Sequence, residues 1–359
     1  MFINNKAAKD SIHISGKMVF DCLKLCQNIQ LDYLEISVEE RQIPTGYAFY
    51  LFNYHPHTMS WLDTRSLRKL LGFTGTIVLE VLPGDPFVLC PEYDFDYYCV
   101  LDPTIKSRNK RVYSFPRPLP KIESRNPYID QTIPVIGSFG FATKGKGFQH
   151  VVEAVNKEFD KAIVRINIPY GDYVPDSKEY AAYLENICKG IAKEGIEVVV
   201  THDFMSDDEL IKWCGSNTLN CFLYDRKMPG LSATTDQAIV SGRPLSISKN
   251  NTFRHITEYI KPYPEWSLKD SIEKSVSFLD QIQSDWSQET FAKTFEILID
   301  KNKLILNKES EPSHSITLLV KKRSLEEAIK NRYKKYKRKF TLQHLKTILY
   351  DKGHNKKII

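Results

Sequence analysis

Residues 220–256, NCFLYDRKMPGLSATTDQAIVSGRPLSISKNNTFRHI, constrain the fold of this chain more than any other stretch. An apolar strand from Cys221 to Tyr224 runs into a loop carrying Pro229 and Gly230. GLSATTDQAIVSG then reads as a helix with hydroxyls in its first turn, and a second apolar strand, PLSIS, follows Gly242, Arg243 and Pro244. Strand, glycine loop, helix and strand together make a βαβ unit. A helix opening on Gly230, Leu231, Ser232, Ala233 and Thr234 directs backbone N–H groups and hydroxyls off its N-terminus, which suits an anion such as a pyrophosphate.

The same alternation runs through the chain. MFIN, LDYLEI (31–36), YAFYLFN (47–53), TIVLEV (76–81), YYCVLD (97–102) and RVYSF (111–115) read as strands. A helix is expected from Gly16 to Gln30 and another from Trp61 to Leu71, stopped by Gly72. Strands separated by helices argue for a parallel sheet covered on both faces. Three prolines between 116 and 120 forbid a central strand, so 116–132 is expected to link a first domain (1–115) to a second. The second domain (133–285) repeats the pattern: IPVIGSFG (133–140), a helix from Lys146 to Phe159, AIVRINI (162–168), a helix from Ser177 to Glu194, IEVVVTHDF (196–204), and SDDELIKWC (206–214) opened by a capping box of Ser206 and Glu209. Amphipathic helices are expected at 267–284 and 288–302. The expected class is α/β, with two Rossmann-like doubly wound parallel-sheet domains facing across a cleft. A closing helix (286–303) follows, then a linker and basic helical tail (304–359).

Charge is unevenly placed. From Lys321 to Ile359 there are fourteen Lys/Arg against three acids, a surplus of eleven in a chain whose net charge is +6, so the remainder carries −5. Cations alternating with Tyr, Phe and Leu suit a helix lying on an anionic membrane surface. A solvated extension is the plain alternative, and nothing in the acidic body supports nucleic-acid binding. The seven scattered cysteines lack a second Cys/His pair at ligand spacing, so reduced core thiols are expected. With no signal peptide in the opening residues and no run of about 18 apolar residues, a cytoplasmic protein is expected, peripheral on a membrane if the tail docks.

IPVIGSFGFATKGKGFQHVVEAV and GLSATTDQAIVSGRPLSIS together resemble the donor domain of GT-B glycosyltransferases of the family 4-like retaining group, and NTFRHI resembles the Phe-Arg-His ending of a bacterial subgroup. The resemblance spans roughly 133–260. It implies a glycosyltransferase that takes a UDP- or GDP-linked sugar as co-substrate, needs no metal or other cofactor, and serves a glycan, lipid-linked or protein-linked acceptor. By position it implies that Lys146, helped by Lys144, contacts the donor phosphates, that Gly140 permits close backbone approach, and that His202 to Met205 wall the nucleoside base. Gly230, Leu231, Ser232, Ala233 and Thr234 fall where the pyrophosphate is received, and Arg254 within reach of the donor. The chain departs from the pattern at two carboxylates, where Pro229 and Gln237 stand; Asp236 is the nearest acid and a candidate to replace them. A non-catalytic binding protein and a nucleotide-sugar epimerase of the same fold are the alternatives.

In the first domain, YLFNYHPHTMSWLD places His55 and His57 in the loop after a strand, where open α/β sheets bind ligands. They are candidates for orienting substrate or handling a proton. A metal is not expected there, since no third ligand accompanies them. His13 lies in the first strand–helix connection, at the same cleft edge.

Overall fold

A computed structural model describes residues 1–6, 11–27, 29–121, 131–171, 176–227, 229–301 and 314–321. The basic tail beyond Lys321, residues 304–313 and residues 122–130 of the expected linker lie outside the described residues.

The first sheet is built from β1 (Phe2–Asn5), β2 (Tyr33–Ile36), β4 (Tyr50–Phe52), β5 (Thr74–Val78), β6 (Tyr97–Val100) and β7 (Val112–Ser114) in the order β2-β1-β4-β5-β6-β7, every pair parallel. β3 (Gln42–Pro44) stands apart. Helices α1 (Ser11–Leu23) and α2 (Thr64–Leu71) flank the sheet. The second sheet holds β8 (Val135–Phe139), β9 (Ala162–Asn167), β10 (Ile196–Thr201), β11 (Leu219–Phe222) and β12 (Leu245–Ile247) in the order β10-β9-β8-β11-β12, again all parallel. Helices α3 (Phe148–Glu158) and α4 (Ser177–Ile191) pack one apolar layer on it; α5 (Asp207–Gly215), α6 (Thr234–Val240) and α8 (Val276–Asp285) pack the other. α7 (Leu268–Lys274) precedes α8. Burial on both faces explains why β5, β8 and β11 are buried throughout instead of alternating.

α9 (Gln288–Lys301) crosses back to the first sheet, where Phe291, Phe295, Leu298 and Ile299 share a core layer with Phe2, Val19, Leu51 and Phe115. The seven cysteines are free, and burial raises the thiols of Cys99, Cys214 and Cys221 far above the ordinary range, so they behave as small core hydrophobes.

Three elements differ from the sequence expectation. α1 starts five residues earlier than Gly16 and stops at Leu23. His13 belongs to its buried stripe and bonds Asn5 O at 2.6 Å, so a polar residue conceals the first turn from an apolar count. The helix expected over 267–284 breaks at Ser275, whose hydroxyl accepts from Leu245 N at 2.9 Å and ties the break to the β12 strand. Finally, residues after 313 form β13 (Ser315–Thr317), antiparallel to β3, with Leu318 buried in the first sheet's core. A three-residue strand with one apolar side chain carries no readable period. The capping box at Ser206 and Glu209 is present as expected.

Candidate active site

In both sheets the strand order reverses beside the first strand, between β1 and β4 and between β8 and β11. Loops leaving carboxyl ends at such points splay apart and leave a crevice. The two carboxyl edges meet: Gly230 N donates to Val81 O at 3.1 Å, and Arg254 bridges to Asp102 through Nε at 2.9 Å and to Val81 O at 3.1 Å.

On the second sheet's side, the loop after β8 returns through Gly140 to Lys146, which is buried, just before α3. Its Nζ donates to the Tyr224 hydroxyl at 2.9 Å and lies 4.6 Å from that ring's centroid. Tyr224 and Thr234 hydroxyls are 2.8 Å apart, and Ser232 and Thr234 hydroxyls are also 2.8 Å apart. One continuous chain of polar groups therefore joins Lys146 to the loop before α6. Gly140 takes φ +144°, and a Cβ there would come within 2.9 Å of the Lys146 ammonium. A side chain at 140 would displace the cation, so glycine is needed for this approach. Among the described residues no carboxylate lies within ion-pair distance of Lys146. A buried ammonium held only by a phenol and an aromatic face is set for an anion from outside.

Lys144 is exposed on the same loop and Ala233 is exposed before α6, whereas Leu231 and Ser232 are buried. The Ser232 amide is already bonded to Thr252 O at 3.1 Å and the Gly230 amide to Val81 O. The hydroxyls, more than these two amides, are what the loop offers a ligand. α6 begins at Thr234 and has no side-chain cap. His202 is fixed by Ile168 O at 2.9 Å and stacks on Tyr170 at 4.8 Å. Met205 is half-buried beside Phe204, which is 72% exposed. These groups make an aromatic shelf at the ends of β9 and β10.

Two candidates are engaged elsewhere. Asp236 is buried and accepts from Arg117 Nε at 2.5 Å. Burial pushes its carboxyl up to about 6 against the pull of Arg117. The pair joins α6 to the proline-rich segment, and the buried carboxylate is not exposed as expected of a replacement acid. Gln237 bonds Asp207 at 2.9 Å. Arg254, expected near the donor, spends its guanidinium on Asp102, Val81 O and Asn251 O, and so clamps the two sheets together. His255 is fully buried against Trp286, ring centroids 5.0 Å apart. Burial, then Arg117 and Arg254, lower its pKa well below the usual value.

On the first sheet's side, His55 is buried and His57 exposed, their rings 4.9 Å apart. His55 Nδ1 accepts from His57 N at 3.2 Å, and Nε2 lies 3.7 Å from Glu80 Oε2. Burial by itself would raise Glu80, but His55, Arg226 and His57 together outweigh it and hold the carboxyl below its ordinary value. His13 is buried, bonded to Asn5 O and 3.3 Å from Glu35. Among the described residues no group of three His, Cys, Asp or Glu side chains is placed to hold a metal ion, and no helix is long and apolar enough to cross a membrane.

Sequence reading passed over Tyr224, Glu80 and Arg117. The first two sit at or just past the carboxyl ends of strands, which is the signal that could have found them. Arg117 lies among prolines and gives none.

No family model matches the sequence, and no curated protein matches it. Solved structures do. HepE from Anabaena, in complex with UDP and glucose, superposes with a TM-score of 0.55 at 7% identity, covering 84% of this chain and 99% of that one. A trehalose-6-phosphate structure from E. coli, bound with UDP-2-fluoro glucose, gives 0.52 at 13% identity, covering 80% and 77%. The fold is GT-B. At such identities the likeness extends to the architecture and to no individual residue. The Lys146–Tyr224–Thr234–Ser232 chain lies at the carboxyl edge of the second sheet, and His55, His57 and Glu80 lie at that of the first.

Proposed function

We propose that the protein is a glycosyltransferase of the family 4-like retaining kind. It moves a sugar from a UDP- or GDP-linked donor to a glycan, lipid-linked or protein-linked acceptor, without a metal. The observation that carries this reading is the buried, carboxylate-free ammonium of Lys146 at the switch point of the second sheet, continued by three hydroxyls. Structural neighbours held with UDP or a UDP-sugar support it at the level of fold. When the bond from the sugar to the diphosphate breaks, charge accumulates on the leaving phosphate oxygens, and a cation already desolvated beside them stabilises that charge without reorganising. Lys144 adds a second, solvated charge. Opening and closing of the two domains would admit substrates and then exclude water.

A thermal-shift screen with UDP, GDP and their sugars tests this directly. One nucleoside diphosphate raises the midpoint; silence across the whole set sinks the proposal. A second reading, a GT-B protein that binds but does not catalyse, is favoured by Pro229, Gln237 and the sequestered Asp236. Slow release of free UDP or GDP from the donor in the absence of acceptor rules that second reading out.

The surplus of positive charge in 321–359 supports docking on an anionic membrane. Vesicles of mixed phosphatidylcholine and phosphatidylserine should sediment the full chain and leave behind a chain ending at 320. Equal sedimentation of the two removes the membrane from the account.

A further inference from the structure

We infer that Glu80, with the His55 ring beside it, is the residue that reads the hydroxyl pattern of the transferred sugar, from the wall opposite the phosphate site. The inference rests on the nucleotide-sugar reading above.

Glu80 follows the carboxyl end of β5, and the next residue, Val81, receives the Gly230 amide at 3.1 Å. This bond places Glu80 against the loop that leads to Ser232. A Cβ added at Gly230 would lie 3.3 Å from Glu80 Cγ. The glycine thus leaves room for the carboxylate to stand beside the donor loop, and the Glu80 side chain remains 35% exposed, open to a ligand in the cleft. Its surroundings keep it ionised, so it offers acceptors only, as a sugar hydroxyl requires.

His55 supplies the second observation. Its side chain is 4% exposed, and Nε2 has no hydrogen-bond partner. Nδ1 accepts the His57 amide, so a neutral ring carries its proton on Nε2, which lies 3.7 Å from Glu80 Oε2. That separation is too long for a hydrogen bond. It leaves the N–H and the carboxylate as a donor and an acceptor side by side, the pair that a ring hydroxyl satisfies by accepting from one and donating to the other. The opposite wall, by contrast, presents the Lys146 cation and the hydroxyls of Tyr224, Ser232 and Thr234, which suit phosphate. The cleft thereby divides its work: the second sheet holds the diphosphate and the first sheet discriminates the sugar. Glu80 is the specificity-determining residue, and His55 supplies the donor beside it.

Titration calorimetry on the full chain tests this with four ligands: UDP, GDP and the glucose conjugate of each. Glu80→Gln should leave the affinity for the preferred nucleoside diphosphate within twofold of wild type, and weaken the sugar conjugate about tenfold or more. Glu80→Asp should recover part of that loss. Deoxy-glucose conjugates lacking single hydroxyls complete the test: one of them should bind wild type about tenfold more weakly than the parent, yet bind Glu80→Gln no worse than the parent. His55→Gln, which keeps a donor, should weaken the conjugate less than His55→Phe. Equal loss for diphosphate and conjugate in Glu80→Gln would mean that the residue only braces the domain contact, and would overturn the inference. So would unchanged affinity for both. If wild type binds no nucleoside diphosphate at all, the nucleotide-sugar reading fails first and takes this inference with it.

Discussion

Lys146→Met should abolish measurable nucleoside diphosphate binding while leaving the fold at least as stable as before. The ammonium is buried, its Nζ contacts are the Tyr224 hydroxyl at 2.9 Å and the Tyr224 ring, and no carboxylate among the described residues neutralises it. Burying a charge without a partner opposes folding, so an apolar side chain of similar length relieves the native state. The same charge is what a diphosphate would meet. Removing a preorganised electrostatic contact of this kind lowers transfer about 10²–10³-fold. Opposite signs in stability and binding are the signature of a site that is strained until its ligand arrives. Lys146→Arg should rescue little, because the cation lies against Gly140, where even a Cβ would stand 2.9 Å from Nζ, and a planar guanidinium needs more room. Tyr224→Phe, which removes one hydroxyl and keeps the ring, should weaken binding only about fivefold to tenfold. Denaturant melts and calorimetry on the same preparations check both halves. Retained binding in Lys146→Met would remove the observation on which the proposed function stands.

The second large effect is expected within the first turn of α6. Arg117→Met should destabilise the protein by about 3–5 kcal/mol, because it strands a buried carboxylate. Arg117 and Asp236 are 9% and 3% exposed and meet at 2.5 Å, joining the proline-rich segment to the helix beside the donor loop. Asp236→Asn should cost far less, because folding already favours the neutral carboxyl, whose shape the amide keeps. The double replacement Arg117→Met with Asp236→Leu should recover most of the loss, since neither charge is then left alone. Additive losses in the double variant would refute the pairing.

Asp236 also fixes a pH signature. Its folded value, about 6, lies above the unfolded 3.8, so the native state holds the proton more tightly between those values. This group's contribution therefore makes wild type lose stability as pH rises from about 4 to 6, a slope opposite to ordinary acid denaturation. Comparing the pH dependence of wild type and Asp236→Asn isolates it: the difference between their stabilities should change across that window and be flat above pH 7.

What was legible in the sequence was what neighbours in the chain decide. Alternating apolar runs, glycine stops and the Ser206–Glu209 capping box depend on contacts within a few residues, and those elements stand where the sequence puts them, within a few positions. The strand–loop–helix–strand unit at 220–256 likewise announces itself, because a parallel crossover needs all its parts in one stretch. Elements whose reason lies elsewhere were not legible. β13 exists only because β3, some 270 residues earlier, offers an edge. The 267–284 segment breaks at Ser275 because β12 supplies a backbone N–H to its hydroxyl.

The same division holds in the site. From sequence alone, Gly140, Lys146, Ser232 and Thr234 were candidates for one task, and the fold joins them through Tyr224, a residue that no local pattern distinguishes from a core tyrosine. Asp236 and Arg254 have the right chemistry for a donor site, yet their charges are engaged by Arg117 and Asp102, partners 119 and 152 residues away. His55 was a candidate from its loop after a strand, but Glu80 carries no motif and acquires a role only where two carboxyl edges meet. Sequence fixes which charges and hydroxyls a loop can present. Whether a given charge is neutralised, buried or left facing a cleft depends on what packs against it, and long-range packing alone settles that.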